Sequence, residues 1–208
     1  SCRRHIAPDY NGSVRAGHPR LFVTKEDIPN IKSTAQTSAH DIYLQTKESI
    51  DKLLNEPISF PNPTAVNGTE NGWIISRVSQ VAMLYLITGE KKYLDYTKKF
   101  LQKITEYYRL RIDHNLNADW YVFPQINTLC AYDWIYDDLT KDEREKIGKP
   151  LYRVMMDIAW HGKGLRPERN RENTGGYNTG FYGTDALPWY IGITFHNDGI
   201  DNARCEDM

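Results

Sequence analysis

The strongest constraint on this chain is that its apolar residues recur at helical spacing in one stretch after another and almost never alternate. Ile42, Leu44, Ile50, Leu53 and Leu54 mark a helix over about 39–55. Ile74, Val78, Val81, Ala82, Leu84 and Tyr85 mark a buried one over 73–88. Gly89 stops that helix, and Glu90-Lys-Lys-Tyr93 opens the next, which runs through Leu94, Phe100, Leu101 and Ile104. Another spans about 121–137. Thr140-Lys-Asp-Glu143 has the residue types and spacing of a capping box, in which a hydroxyl and a carboxylate each satisfy a backbone N–H. It opens a helix carrying Ile147, Leu151, Val154, Met155 and Ile158. Thr24-Lys-Glu-Asp27 predicts an earlier helix start with Thr24 as N-cap, and Gly199-Ile-Asp-Asn202 a late one that the chain end cuts short. The intervening segments 56–72, 110–120 and 162–176 read as loops. Two helices and a loop, repeated, predict an all-α fold of stacked helical hairpins, an α/α architecture.

At 208 residues the chain can bury a real core. A formal net charge of -1 gives no global attraction to nucleic acid or to an anionic membrane, so neither is expected as a partner. No apolar run approaches the roughly 18 residues that span a bilayer, so no membrane span is expected. The start, Ser1-Cys-Arg-Arg-His5, has no apolar segment after its charges. It does not read as a signal peptide, so an export signal is expected to have been removed already. Cys2, Cys130 and Cys205 are odd in number and widely spaced, fitting neither a disulfide framework nor a zinc site. Cys130, within an apolar helical run, reads as a buried small hydrophobe. His114 and His196 have no companion at metal-ligand spacing, and no phosphate loop or nucleophile elbow occurs, so no metal and no cofactor is assigned.

The segment Tyr177-Asn-Thr-Gly-Phe-Tyr-Gly-Thr-Asp-Ala-Leu-Pro-Trp-Tyr190 departs from this helical plainness. Tyr177, Phe181, Tyr182, Trp189 and Tyr190 are interleaved with Gly180 and Gly183. A core helix would favour Leu, Ile and Ala, since each interior Gly costs roughly 1 kcal/mol. Aromatic faces beside amides and hydroxyls suit a sugar-binding cleft, where pyranose rings stack and their hydroxyls need fixed donors and acceptors. A helix crossing, with Gly allowing close approach and aromatics filling the sides, is the alternative.

Four stretches, in order, resemble heparinase II/III-like polysaccharide lyases: His18-Pro-Arg-Leu-Phe-Val-Thr-Lys-Glu-Asp-Ile-Pro-Asn-Ile-Lys32, Val81-Ala-Met-Leu-Tyr-Leu-Ile-Thr-Gly-Glu-Lys-Lys-Tyr93, Ala131-Tyr-Asp-Trp-Ile-Tyr-Asp-Asp-Leu-Thr-Lys-Asp-Glu143 and the aromatic segment itself. The resemblance covers about 18–205. It implies an extended lead-in over 1–17 and, over 18–208, the amino-terminal part of an (incomplete) α/α toroid of stacked helical hairpins. The toroid's carboxy-terminal part and a β-sheet domain are expected elsewhere, and 208 residues alone are expected to be inactive. The implied activity is β-elimination on an acidic, uronate-containing polysaccharide, typically by an enzyme exported by bacteria to the periplasm or cell surface. By position, Asn178 matches the family's carboxylate neutraliser, with a helix-capping or loop role as its alternative. Asn rather than His at that place resembles the heparinase III and alginate lyase branch. The catalytic Tyr and a second His are expected downstream.

Around Asn178, Tyr177, Tyr182 and Trp189 are candidates for stacking or hydrogen bonding to sugar, with packing as the alternative for each. Arg171 is the candidate anion contact from a basic loop that also carries Lys163, Arg166 and Arg169, charges partly offset by Glu168 and Glu172. Arg77, a charge inside the apolar helix 73–88, must be paired or face a cleft, so it is a candidate substrate contact with a buried ion pair as runner-up. Trp120 and Gln125 are candidates for a platform and a donor, or else for core filling. Two other function classes stay open: a glycan-binding module without chemistry, and a glycoside hydrolase on an α/α toroid. The hydrolase would need two carboxylates across a cleft, for which only Asp119 and Asp185 lie near aromatic segments.

Overall fold

The structure, a computed structural model, describes residues 13–65, 69–116, 118, 121–161 and 186–208. The described residues form helices and turns, with no strand among them. In order they are α1 (Ile28–Gln36), α2 (His40–Leu53), α3 (Thr69–Thr88), α4 (Lys91–Asp113) and α5 (Phe123–Ile135). A 3-10 turn (Tyr136–Asp138) follows, then α6 (Lys141–Glu143), a π-helical turn (Arg144–Gly148), α7 (Lys149–His161), α8 (Leu187–Phe195) and α9 (Asn202–Asp207). The chain is all-α, as its periodicity predicts.

Side-chain pairs fix the helix directions. Ser79 Oγ donates to Asn127 Oδ1 at 3.0 Å, and further along both helices Met83, Ile87 and Trp134 share one groove wall. α3 and α5 are therefore parallel. At the far end of α5, Tyr132 meets Phe195 of α8 with ring centroids 5.2 Å apart. α4 runs back against α3, because Asn71 Nδ2 near the start of α3 donates at 3.1 Å to the Tyr107 hydroxyl near the end of α4. Lys98–Glu143 and Arg109–Asp157 then tie α4 to α6 and α7 in register. One layer thus holds α3, α5 and α8 running one way, and α4 and α7 run the other way outside it. Ile75, Val78, Leu101, Ile104, Leu129, Leu151, Met155 and Ile191 fill the space between the layers.

Three boundaries differ from the expectation. α1 starts at Ile28 rather than at Thr24. Thr24 donates from its backbone N (2.9 Å) and Oγ1 (2.8 Å) to the Asp27 carboxylate, closing a turn ahead of the helix. Pro29 then stands in the first turn, where its missing N–H costs nothing. α3 begins at Thr69, inside the expected loop. α4 continues to Asp113, past the polar residues that read as a loop from 110. The reason lies in Arg111, fully buried and donating from Nη1 to the carbonyls of Pro63 (3.0 Å) and Ala65, so a tertiary contact extends the helix.

The capping box forms as predicted. Glu143 N donates to Thr140 Oγ1 at 3.2 Å, and Thr140 N donates to Glu143 Oε2 at 2.8 Å. At the following π-helical turn, Gly148 lies against the Tyr132 ring, and a Cβ there would collide with the Tyr132 hydroxyl. That hydroxyl is buried and has no hydrogen-bond partner among the described residues. Gly148→Ala is expected to cost about 1–3 kcal/mol in urea unfolding. Adding Tyr132→Phe should recover part of that loss, because it removes both the colliding atom and an unsatisfied buried group. Additive effects would show that the two residues do not meet.

Candidate functional site

The lead-in is bolted to the helical layers by a buried charge cluster. His18 Nδ1 lies 2.6 Å from Asp133 Oδ1 on α5, and Nε2 lies 3.1 Å from Asp198 Oδ2, just past α8. An imidazolium fits both contacts, since each ring nitrogen then donates to a carboxylate oxygen. Burial pulls the His18 pKa down, but hydrogen bonds to Asp133 and Asp198 and their charges outweigh it, and the net shift is upward. The ring also stacks on Tyr136 at 3.7 Å. The second oxygen of Asp133 accepts from the backbone N–H groups of Arg20 (2.7 Å) and Leu21 (2.8 Å). Arg20 reaches across to the carbonyls of Ile193 (3.1 Å) and Thr194 (3.2 Å) and to Asp198 (3.3 Å). Trp134 Nε1 donates to Leu21 O at 2.8 Å.

Two of the motifs read from the sequence, His18-Pro-Arg-Leu21 and Tyr132-Asp-Trp134, therefore meet here as partners. Their work is to fix the ends of α5 and α8. No sequence argument paired them, though a His and an Asp within apolar surroundings each called for a partner.

The parallel layer points the starts of α3, α5 and α8 the same way. Near each start stands an exposed aromatic: Trp73 (78% exposed), Tyr121 (44%) and Trp189 (55%). Trp73, read from the sequence as opening a buried helix, lies on the solvent side of α3. Trp189 is also exposed although its neighbours Leu187, Pro188 and Ile191 are buried, because it falls on the outer face of α8.

Arg77 is half-buried, and its Nη2 donates to Ser49 Oγ (2.8 Å) and Ser49 O (3.2 Å). Its guanidinium thus bridges α3 to α2 through a neutral residue. Gln125, in the first turn of α5, is 1% exposed and sits within the packed layer. Asn178, Tyr177, Tyr182, Arg171 and Trp120, like Asp119 and Asp185, lie outside the described residues; 177–185 precede α8 directly in sequence. A groove of about 560 Å³ lies between α1, α2 and α3, walled by apolar groups such as Ile31, Ile42, Met83 and Trp134. Sugar hydroxyls would find few partners there, so the exposed aromatic edge is the better candidate site.

No protein-family model matches the chain. Over 162 residues the chain is 26% identical to an exo-oligoalginate lyase of Saccharophagus degradans, a match that takes in 67% of this chain and 21% of the relative. The chain thus spans about a fifth of the length of the curated relative it matches. It is distantly similar to a polysaccharide lyase.

Because the folded pKa of His18 is raised, its contribution to stability is full below its ordinary value of 6.5 and is lost as pH rises through the folded value. Urea unfolding of the chain should show stability falling as pH increases from about 6.5 upward. His18→Gln should lower stability by about 3–5 kcal/mol near neutral pH, since it leaves the buried Asp133 carboxylate without its cation and Asp198 with Arg20 alone, and should flatten this slope. A slope unchanged in the variant would show that other groups set it. By contrast, Trp189→Ala should shift stability by no more than about 0.5 kcal/mol by the same measurement, as for an exposed side chain.

Proposed function

We propose that this chain is the amino-terminal helical part of a polysaccharide lyase domain, built as an α/α toroid, that cleaves a uronate-rich glycan of the alginate type by β-elimination. The observation that carries this reading is the similarity to an exo-oligoalginate lyase along 162 residues. The two-layered order of helices and the exposed aromatics at the starts of α3, α5 and α8 support it. Export to the periplasm or cell surface of a bacterium follows from the same reading, since polymeric glycans are met outside the cytoplasm.

The chemistry explains the residue types assigned. The C5 proton of a uronate is weakly acidic, so the adjacent carboxylate must be neutralised before a base can remove it. Asn178 takes this role, its amide donating to the carboxylate, with Arg171 as a fixed cation at the rim. A Tyr or His from further helices of the ring removes the C5 proton. The electron pair forms the C4–C5 double bond, the C4–O bond to the neighbouring sugar breaks, and the departing oxygen takes up a proton, commonly from Tyr. No water is consumed, which separates this reaction from hydrolysis. Tyr177, Tyr182, Trp120 and Trp189 hold sugar rings, and Gln125 and Arg77 support that wall from within the layer.

The test is ultraviolet absorbance of the unsaturated uronate on a panel of uronate polysaccharides. It compares the 208-residue chain with the full product of the gene. Absorbance should rise with the longer protein, fastest on alginate oligomers. Asn178→Ala should lower kcat at least about 100-fold, as for the loss of a donor to a developing oxyanion. Glycan binding with no unsaturated product on any substrate would leave a binding module in place of a lyase. Reducing ends without that chromophore would indicate a hydrolase.

A further inference from the structure

Phe22 is strained and exposed at once, a combination that burial of apolar surface cannot produce. Its backbone has φ 58°, in the left-handed region where a bulky L residue is an outlier. Its side chain is nevertheless 71% exposed, while Leu21 and Val23 on either side are buried at 3% and 6%. The turn that throws the ring outward is held at several points. Leu21 N donates to Asp133, Leu21 O accepts from Trp134 Nε1, and Val23 N donates to Leu21 O at 2.6 Å. Persistent strain of this kind requires surroundings that over-determine it, and it gathers at functional sites.

The outward ring does not stand alone. Phe22 stacks on Tyr190 with centroids 5.9 Å apart and planes inclined by 28°. Trp189 meets Tyr190 edge-on, at 5.0 Å and 78°. Three rings from two separate segments thus form one ledge, of which Phe22 and Trp189 are the exposed ends and Tyr190 the half-buried middle. The ledge is continuous in sequence with 177–185, the segment assigned to catalysis.

We propose that Phe22, Tyr190 and Trp189 form a stacking subsite for a pyranose ring of a uronate chain, outside the bond that is cleaved. This inference rests on the lyase reading and extends it from Trp189 to Phe22 and Tyr190. The C–H faces of a pyranose match flat aromatic rings, and ring stacking needs no charge at the ledge itself. Arg20, two residues before Phe22, is committed to Asp198 and to backbone carbonyls. The ledge therefore adds affinity per sugar unit and makes binding depend on chain length, while the carboxylate chemistry stays with Asn178 and Arg171.

The experiment is calorimetric titration of the 208-residue chain with alginate oligomers of short and longer length, comparing wild type, Phe22→Gly and Trp189→Ala. Phe22→Gly removes the ring and also relieves the left-handed backbone, so its melting temperature should hold or rise. A loss of affinity in that variant is then not a loss of fold. The expected result is roughly threefold to tenfold weaker binding of the longer oligomer in both variants, with the shorter one little changed. Equal affinity of wild type and Phe22→Gly for the longer oligomer overturns the subsite, as does a wild-type chain that binds neither length. Self-association of the wild type that Phe22→Gly abolishes, seen by sedimentation, also overturns it by assigning the ledge to a second copy. The lyase reading fails separately, by absence of unsaturated product from the full gene product, whatever the ledge binds.

Discussion

The buried carboxylate of Asp133 is the interaction on which the arrangement of this chain depends. It is fully buried within α5, where an unpaired charge would be untenable. Both of its oxygens are engaged, one by His18 and the other by the backbone N–H groups of Arg20 and Leu21. Charge-assisted bonds of this kind are stronger than neutral ones, and here they offset the desolvation of the ion. The same cluster reaches α8 through Asp198 and through the carbonyls that Arg20 binds. One side chain thus locks a polar lead-in onto two helices far from it in sequence. A hydrophobic contact could supply similar energy, but it would not fix the lead-in to one register, whereas three directional bonds do.

That constraint shows why helices were legible in the sequence and the cluster was not. Helical periodicity, Gly89 and the capping box at Thr140 are local signals, and each acts over a turn or two. They located the buried faces of α3, α4 and α7 and the junction at Thr140. The departures came where a distant partner decides. Arg111 extends α4 because carbonyls of residues 63 and 65 accept its hydrogen bonds. Trp73 faces solvent because α5 and α4 occupy the other sides of α3. None of these follows from spacing along the chain.

The candidate site divides the same way. Its residue types could be read, since an aromatic segment with Gly and Asn suits either sugar or a close helix crossing, and the resemblance to lyases rested on recognisable strings. Two of those strings turn out to hold the frame: His18, Arg20, Leu21, Asp133 and Trp134 are bound to one another. Strings marked by polar residues in apolar settings can therefore report architecture as readily as chemistry. Arg77 makes the point by itself. A charge in an apolar helix invited a substrate or an ion pair, and a serine on α2 accepts its hydrogen bonds.

Direction within the inner layer bears on what such a frame can bind. α3, α5 and α8 are parallel, so the positive ends of their backbone dipoles face the same way. Each dipole is worth only about 0.3–1 kcal/mol to a nearby anion, but three aligned helices bias one edge of the protein without any net positive charge. A chain with a formal charge of -1 can in this way favour an acidic polymer at one edge and avoid drawing polyanions to its whole surface. The exposed aromatics Trp73, Tyr121 and Trp189 are carried near those same helix starts. On the proposed reading, aromatic faces for sugar rings and backbone dipoles for their carboxylates would both come from a single feature, the parallel order of the layer. The Asp133 cluster maintains that order from the opposite end, so under the proposed lyase reading a change at His18 would act on glycan binding through helix position rather than through contact.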